Sequence, residues 1–437
     1  MVRVLLVFAA SLLALTVLGG RSTAETPPTL KADVRAALDQ LNAASLAERQ
    51  RAEQRLIELG PSVLPLLPPM ELVNSVSAKQ ALKRVRVRLE EDAARQSIAP
   101  SKLNLKGSYS LAELSAEIEK QTRNRVLVPT SSTSSVKSVT TDWSSRSFWD
   151  AIADLEQQQL TIEFSGQRSA YEWKSLAAPR KTASQLHGGF RVEAAPIEAR
   201  PATKADQQLW LAHVTISAEP RLRPLLLRYS AADFALGNDE SIKPFDPEAR
   251  IEVPLGDGGR VSQFSMTFAG SAKQTPNQAL TATTGLRGTV RLVVAAGEEP
   301  IEFKDFGRAQ GVSRRHGGVT VALTSVRMKR EANGKLAVSA RLQVSYDSPQ
   351  HAFESHQLWV FHNHVFLRSP SGQQVPHTGG AETLFQNEGV VGVEYRFADL
   401  PDDARLWSLN YVAPTLLIEV PLEFRLADVP VAVKKPE

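Results

Sequence analysis

Histidines are the residues of this sequence best suited to metal or acid–base chemistry, and they cluster near its C-terminal quarter. The stretch SHQLWVFHNHVF, residues 355–366, contains His356, His362 and His364. Residues two apart on a β-strand point to the same face, so the three imidazoles would share one face. Zinc accepts such ligand sets, and the stretch therefore offers a metal site. The competing interpretation is that these histidines are polar residues at the rim of a sheet.

Two aromatic residues alternate with these histidines. Trp359 and Phe361 would point to the opposite face of the same strand. They could form a platform for a sugar ring, or they could fill a core, since aromatic rings bury a large apolar area. They are the candidate interaction residues of the chain, and both uses stay open.

The rest of the sequence has no signature of a common enzyme class. It contains no Gly-x-Ser-x-Gly, phosphate-binding loop, dinucleotide fingerprint or His-Glu-x-x-His. The adjacent acids Glu298–Glu299 and Asp402–Asp403 lie in polar turns, whereas the two carboxylates of a glycosidase face each other across the sugar. We therefore predict no catalytic residue and no cofactor.

The composition of the chain excludes further kinds of site and partner. The chain has no cysteine, which excludes disulfides and thiolate metal sites. Its 51 basic and 47 acidic residues nearly balance. The densest basic run, KRVRVR at 83–88, is followed at once by EED, a pattern typical of a solvated helix face rather than a phosphate-binding stripe. We expect no nucleic-acid partner.

The first 24 residues predict export. Arg3 precedes an apolar run at 4–18, and Ser22-Thr23-Ala24 then suits cleavage after Ala24. The run is shorter than the roughly 20 residues of a membrane span, so residues 1–24 are interpreted as a signal peptide. An uncleaved anchor is the alternative, and it would be the chain's membrane contact. Export without disulfides favours a periplasmic or cell-envelope location.

Residues 29–98 are predicted to be helical. Ser45 and Glu48 have the spacing of a capping box, and Gly60-Pro61 marks the end of that helix. The sequence ERQRAEQRLIELGPSVLPLL resembles the first helix pair of HEAT-like repeats in exported planctomycete-type proteins. There is room for one or two such units, so this segment is either a small helical cap or a binding surface.

In residues 101–174 the spacing of apolar residues differs from that of the helical segment, and it predicts a β-α-β-β-α-β-β module. A second capping box is predicted at Ser110 and Glu113. The segment resembles the short N-terminal domain of secretins and TonB-dependent receptors. The matching positions are core residues: Leu111, Leu114, Trp149, Ala151, Ile152 and Leu155. The resemblance implies a fold and a role in docking periplasmic partners. No secretin ring or receptor barrel follows, so those activities are not implied.

A polar linker is predicted from about Lys174 to His187, and residues 188–432 read as β-strands throughout. Turn residues at 256–259 and at Asn333-Gly334 predict hairpins. Three pairs of segments also resemble each other: 190–200 with 319–329, 209–220 with 336–347, and 288–306 with 414–429. We therefore predict two tandem antiparallel β-sandwiches of immunoglobulin-like type, at 188–310 and 316–432.

The duplication bears on the histidines. Ser230-Ala231-Ala232 stands in the first unit where His362-Asn363-His364 stands in the second, so the fold does not require histidines there. The predicted fold class is multidomain, α+β and all-β, and the order of its parts resembles uncharacterised exported planctomycete proteins. The predicted function is non-enzymatic: a cell-envelope protein that binds or scaffolds protein partners. The alternatives are a protein that binds or acts on carbohydrate, with a glycan as ligand, and a metal-dependent hydrolase centred on His362 and His364.

Overall fold

The architecture is described from a computed structural model. It covers residues 28–129, 138–178, 182–204, 206–237, 242–255, 259–271, 283–347, 363–387 and 389–432. The predicted signal peptide and His356, Trp359, Phe361 and His362 lie outside these residues. The chain divides into two compact units between Leu89 and Glu90. It is mostly β with few helices and several sheets, in agreement with the coarse fold class predicted above.

The first unit is helical. Its helices are α1 (Pro28–Gln40), α2 (Leu46–Glu58) and α3 (Val76–Ile98), with 3-10 turns at Pro61–Leu66 and Met70–Leu72. The unit boundary falls inside α3. Apolar residues three and four apart, such as Ala52 and Leu56, form the buried face of α2. Within the described residues no helix is long and apolar enough to cross a membrane.

Two local predictions for α2 need correction. Ser45 is the N-cap residue, but its hydroxyl makes no capping hydrogen bond in this part of the structure, so the predicted capping box is absent. Gly60 does have a positive φ of 80°, but its ψ of −178° is not left-handed helical. The predicted end of the helix at Gly60-Pro61 is confirmed, and Pro61 starts a 3-10 helix, since proline is favoured in the first turn of a helix.

The α+β module opens the second unit and has the predicted element order. Its elements are β1 (Lys102–Tyr109), α4 (Leu111–Thr122), β2 (Val126–Leu127), β3 (Val139–Ser147), α5 (Phe148–Gln157), β4 (Leu160–Ser165) and β5 (Ala170–Ser175). Strands β1 and β3 pair antiparallel, and β5 lies between β2 and β4 in a second sheet. The predicted capping box is confirmed, because Ser110 Oγ accepts from the Glu113 N–H while the Glu113 carboxylate accepts from the Ser110 N–H.

The β region follows. Its first strands are β6 (Ala183–His187), β7 (Phe190–Ala194), β8 (Ile197–Pro201), β9 (Gln207–Ala218), β10 (Arg223–Ser230), β11 (Ala235–Leu236), β12 (Lys243–Pro244), β13 (Arg250–Pro254), β14 (Val261–Ser271) and β15 (Thr283–Phe303). The later strands are β16 (Val312–His316), β17 (Val319–Arg330), β18 (Leu336–Tyr346), β19 (Val365–Arg368), β20 (Gln374–Pro376), β21 (Glu382–Asn387), β22 (Val390–Leu400) and β23 (Ser408–Ala432). Strands β16, β17, β18, β22 and β21 form a five-stranded sheet, and the others form a larger sheet.

Turn predictions in the β region had mixed outcomes. The hairpin of β17 and β18 around Asn333-Gly334 is confirmed by their antiparallel pairing. The hairpin predicted at 256–259 is wrong, because β13 pairs with β10 while β14 pairs with β9 and β12. The predicted linker is also shorter than expected, since β6 at its end pairs with β7.

One long ladder joins two hydrophobic cores. Strands β15 and β23 pair antiparallel over 19 residue pairs, from Thr283–Pro430 to Phe303–Leu409. The N-terminal half of β15 and the C-terminal half of β23 pack in a first core with β7, β9 and β14. Their other halves pack in a second core with β17, β18 and β22. Residues 418–429 of the second predicted domain therefore pack in the first core, which the predicted boundary at 310–316 did not foresee.

Candidate functional site

Of the predicted metal ligands, the structure places His364 alone. His364 is exposed at the start of β19, with its ring centroid 5.0 Å from that of Phe366. His356 and His362 lie outside the described residues, as do the predicted interaction residues Trp359 and Phe361. Among the residues that are described, no group of three or more His, Asp and Glu side chains could hold a metal ion.

The residues on either side of 348–362 are each held by an arginine. Arg315 donates to Asp347 Oδ2 from Nε at 2.9 Å and from Nη2 at 2.6 Å, and it also forms two hydrogen bonds with Glu90. Arg223 donates to Asn363 Oδ1 at 3.4 Å and pairs with Glu298. Arg315 and Arg223 both belong to strands of the β region, so Asp347 and Asn363 are each tied to that region.

Three buried tyrosines lie close to one another, and two of them, Tyr346 and Tyr411, lie near Arg223. Asn363 donates from Nδ2 to the Tyr411 hydroxyl at 2.7 Å, and the rings of Tyr411 and Tyr395 are 6.4 Å apart. Burial raises the pKa of Tyr346, Tyr395 and Tyr411 well above the usual range of a phenol. The phenols therefore stay protonated at neutral pH, and they can donate hydrogen bonds but cannot act as bases or nucleophiles.

A serine, a histidine and a glutamate lie in a row across β14, β9 and β8. Ser265 Oγ is 2.7 Å from His213 Nδ1, and Glu198 Oε1 is 3.8 Å from His213 Nε2. A catalytic triad needs a direct hydrogen bond from the carboxylate to the imidazole, and 3.8 Å is too long for one. Glu198 also accepts from Arg200, and the His213 and Glu198 side chains are 41% and 44% exposed. We interpret the row as solvated cross-strand neighbours.

A buried ion cluster joins the α+β module to the β region. Arg191 on β7 donates to both carboxylate oxygens of Glu156 on α5, at 2.9 and 3.0 Å, and its Nη2 lies 3.0 Å from Glu193 Oε1. All three side chains are at most 7% exposed. The neighbouring carboxylates raise the pKa of Arg191 against the opposing effect of burial, so the guanidinium stays charged.

A second polar cluster lies at the same junction. Glu219, which is fully buried, accepts hydrogen bonds from the Ser101 N–H at 3.0 Å, Asn124 Nδ2 at 3.1 Å and Arg221 Nε at 2.7 Å. The Trp149 indole also donates to the Gly189 carbonyl at 3.1 Å. Buried polar groups satisfied in this way favour one arrangement of the parts they connect. One face of the predicted docking module is therefore occupied by the chain's own β region.

The helical unit has the most exposed apolar side chains of the described residues. Leu72, Val76 and Leu46 are 72%, 70% and 61% exposed. Leu46 lines a groove of about 570 Å³ between α2 and α3, and Leu72 lines a different groove of about 390 Å³. By contrast, the five described tryptophans are all buried.

Sequence reasoning missed most of these contacts. The α2 groove face at Leu46, Gln50, Glu53 and Ile57 follows helical spacing and was visible as a second face of α2. The pairing of Arg223 with Asn363, 140 residues away, has no local signal. No protein-family model matches this sequence, and no curated protein matches it significantly.

Proposed function

We propose that this chain is a non-enzymatic, exported cell-envelope protein that binds partner proteins through its helical unit and uses its β region as a spacer. The observation that carries the proposal is the concentration of exposed large apolar side chains, Leu46, Leu72 and Val76, on one small unit. Several large exposed apolar side chains on one small unit favour an interaction surface there. Export rests on the sequence of residues 1–24.

The β15–β23 ladder supports the spacer role. Nineteen residue pairs at roughly 3.3 Å per residue make a ladder about 60 Å long. Because each strand contributes to both cores, the cores cannot separate without breaking this ladder. The repeated segments pair in the same way, β7 with β9 and β17 with β18, which favours our proposal that the two cores are immunoglobulin-like sandwiches. The parallel α2 and α3 favour a HEAT-like helical unit.

The α+β module has a structural part in this proposal. The buried clusters around Arg191 and Glu219 fasten it to the β region. We therefore assign it to holding the spacer together, and any docking of partners by this module would use surfaces away from α5. Its likeness to the secretin and TonB short domain stays a proposal about fold.

Co-purification tests the proposal. The tagged full chain would be isolated from envelope fractions of its host after mild crosslinking, beside a variant with Leu46, Leu72 and Val76 each changed to Gln. We expect at least one protein to be retained by the unmodified chain and lost from the variant. Retention of no protein, or of the same set by both, would contradict the proposal. Circular dichroism of the variant checks that its helices persist.

Apart from His364, the residues on which the alternatives depend lie outside the described ranges. A carbohydrate ligand would use Trp359 and Phe361, and glycan-array binding that Trp359→Ala abolishes would favour it. A metal-dependent hydrolase would use His356, His362 and His364, and a stoichiometric metal in the purified protein would favour that.

A further inference from the structure

The groove between α2 and α3, here called the α2–α3 groove, is formed by two parallel helices. Arg84 on α3 donates from Nε and Nη2 to the two carboxylate oxygens of Glu53 on α2, at 2.8 and 2.7 Å. The groove is lined by Leu46, Gln50 and Glu53 on α2 and by Ser77, Ala81 and Arg84 on α3, each of which follows its α2 counterpart by 31 residues. A constant offset of this kind is that of two helices that run in the same direction.

The groove has an apolar floor and a polar rim. Ala81 is buried and Ile57 is half-buried in this floor, and the exposed Leu46 adds further apolar surface to the groove. Three glutamines, Gln50, Gln54 and Gln80, line the same groove and can both donate and accept hydrogen bonds. Such a floor with adaptable polar edges suits the apolar stripe of an amphipathic helix.

Charge selects among the possible occupants. Residues 28–89 contain ten basic and six acidic residues, a net charge of +4, whereas residues 90–437 contain 39 basic and 40 acidic residues. Arg84 on the groove is itself 61% exposed. A second copy of the helical unit would bring the same positive charge and be repelled. An acidic partner would be attracted, and charge complementarity of this kind sets the choice of partner.

The shape of the α2–α3 groove favours a helix over a membrane surface as its occupant. A furrow between two helices accepts a ridge of side chains from a third helix, with residues spaced three and four apart. A bilayer instead needs apolar side chains that project from a convex or flat face. Leu46 lines the furrow, which favours the helix.

We propose that the α2–α3 groove binds an amphipathic helix of a partner protein, with apolar side chains three and four apart flanked by acidic residues. This inference rests on the proposed function, because it names the chemistry of the partner for that same unit. It concerns the groove itself, so it can be tested with synthetic ligands even where no envelope partner is isolated.

The test is selection from a displayed library of 20-residue helix-forming peptides against the full chain. We expect the enriched peptides to be acidic and amphipathic and to bind the unmodified chain at least roughly tenfold more tightly than the Leu46→Gln variant, since a buried leucine is lost from the interface. Leu72→Gln is the matched control, because it removes a leucine of similar exposure from the other groove. It should leave binding unchanged.

Three results would overturn the inference: no enrichment, enrichment of basic or neutral peptides, or equal effects of Leu46→Gln and Leu72→Gln. Raising the NaCl concentration from 50 to 500 mM should also weaken the selected peptides, and salt-independent binding would count against the acidic partner. Sedimentation with phosphatidylcholine vesicles containing phosphatidylglycerol tests the membrane, and binding to them that Leu46→Gln abolishes would replace the helix as occupant. A partner found in envelopes that ignores Leu46→Gln would sink this inference while leaving the proposed function standing.

Discussion

Arg191→Met should be among the most destabilising single changes in the chain. Arg191 is 6% exposed at its side chain and is the cation for two buried carboxylates, those of Glu156 and Glu193. Methionine keeps the apolar length of the side chain and removes only the charge and the donors. The change leaves two carboxylates buried without their cation, and breaking a buried pair in this way costs about 3–5 kcal/mol.

An exposed pair in the same module serves as the matched control. Arg146 donates to both oxygens of Asp154 at 2.9 and 2.7 Å, the same two-bond geometry, but the side chains are 43% and 38% exposed. Because water solvates the remaining carboxylate, Arg146→Met should cost about 0–1 kcal/mol. Both arginines donate two hydrogen bonds to one carboxylate, so a difference in unfolding free energy between the two variants reports the effect of burial.

Urea unfolding at pH 7, followed by circular dichroism and tryptophan fluorescence, measures both costs. The Trp149 indole lies at the same junction, so its fluorescence should change at a lower urea concentration in Arg191→Met than in the unmodified chain. Adding Glu156→Gln and Glu193→Gln to Arg191→Met should recover part of the loss, because the uncompensated charges are gone. Equal costs for Arg191→Met and Arg146→Met would refute the claim that this buried cluster holds the module to the β region.

Three further predictions concern pH, the shared ladder and metals. A hydrogen bond from Arg341 holds the pKa of Glu394 below its usual value of 4.5, so this group stabilises the fold above that pH and the contribution is lost as the pH falls through the depressed pKa. Glu394→Gln should therefore cost more stability at pH 7 than in acid, and a pH-independent difference in urea midpoint would contradict this. Leu422→Ala, at a fully buried position of β23 in the first core, should cost about 2–5 kcal/mol and lower a single unfolding transition. Hydrogen exchange that accelerates in β9 and β14 while β17, β18 and β22 are unaffected would show that the ladder does not couple the cores. Excess EDTA should leave the thermal midpoint unchanged, and a drop that His362→Ala abolishes would support the metal alternative.

Local signals in the sequence were sufficient for the α+β module. The Ser110–Glu113 capping box and the order of strands and helices depend on residues a few positions apart, and both are present in the structure. The Asn333-Gly334 hairpin is of the same kind, because Gly334 supplies the positive φ its turn needs. Periodicity and turn chemistry act within a few residues, so one sequence is enough to read them.

Local signals of this kind did not predict the pairing between strands that are distant in the sequence. The glycines at 256–259 indicate a turn, but β13 pairs with β10 and β14 pairs with β9, so the two strands beside that turn do not form a hairpin. The sharing of β15 and β23 between two cores likewise follows from alternate buried residues along both strands. For the candidate site, the sequence pointed to His364 and its neighbours. The parallel alignment of α2 and α3 could be recognised only from the side chains that the two helices bring together.

Site-specific photocrosslinking tests the central claim most directly. Benzoylphenylalanine would replace Gln54, which lines the α2–α3 groove, or Arg55, which is exposed and does not line it, in the full chain within envelope fractions. The account predicts that irradiation links a partner protein to the Gln54 position and not to the Arg55 position, and that Leu46→Gln removes the link. Crosslinks of equal yield from both positions, or from neither, would contradict the claim that this protein acts by holding a partner in its helical unit.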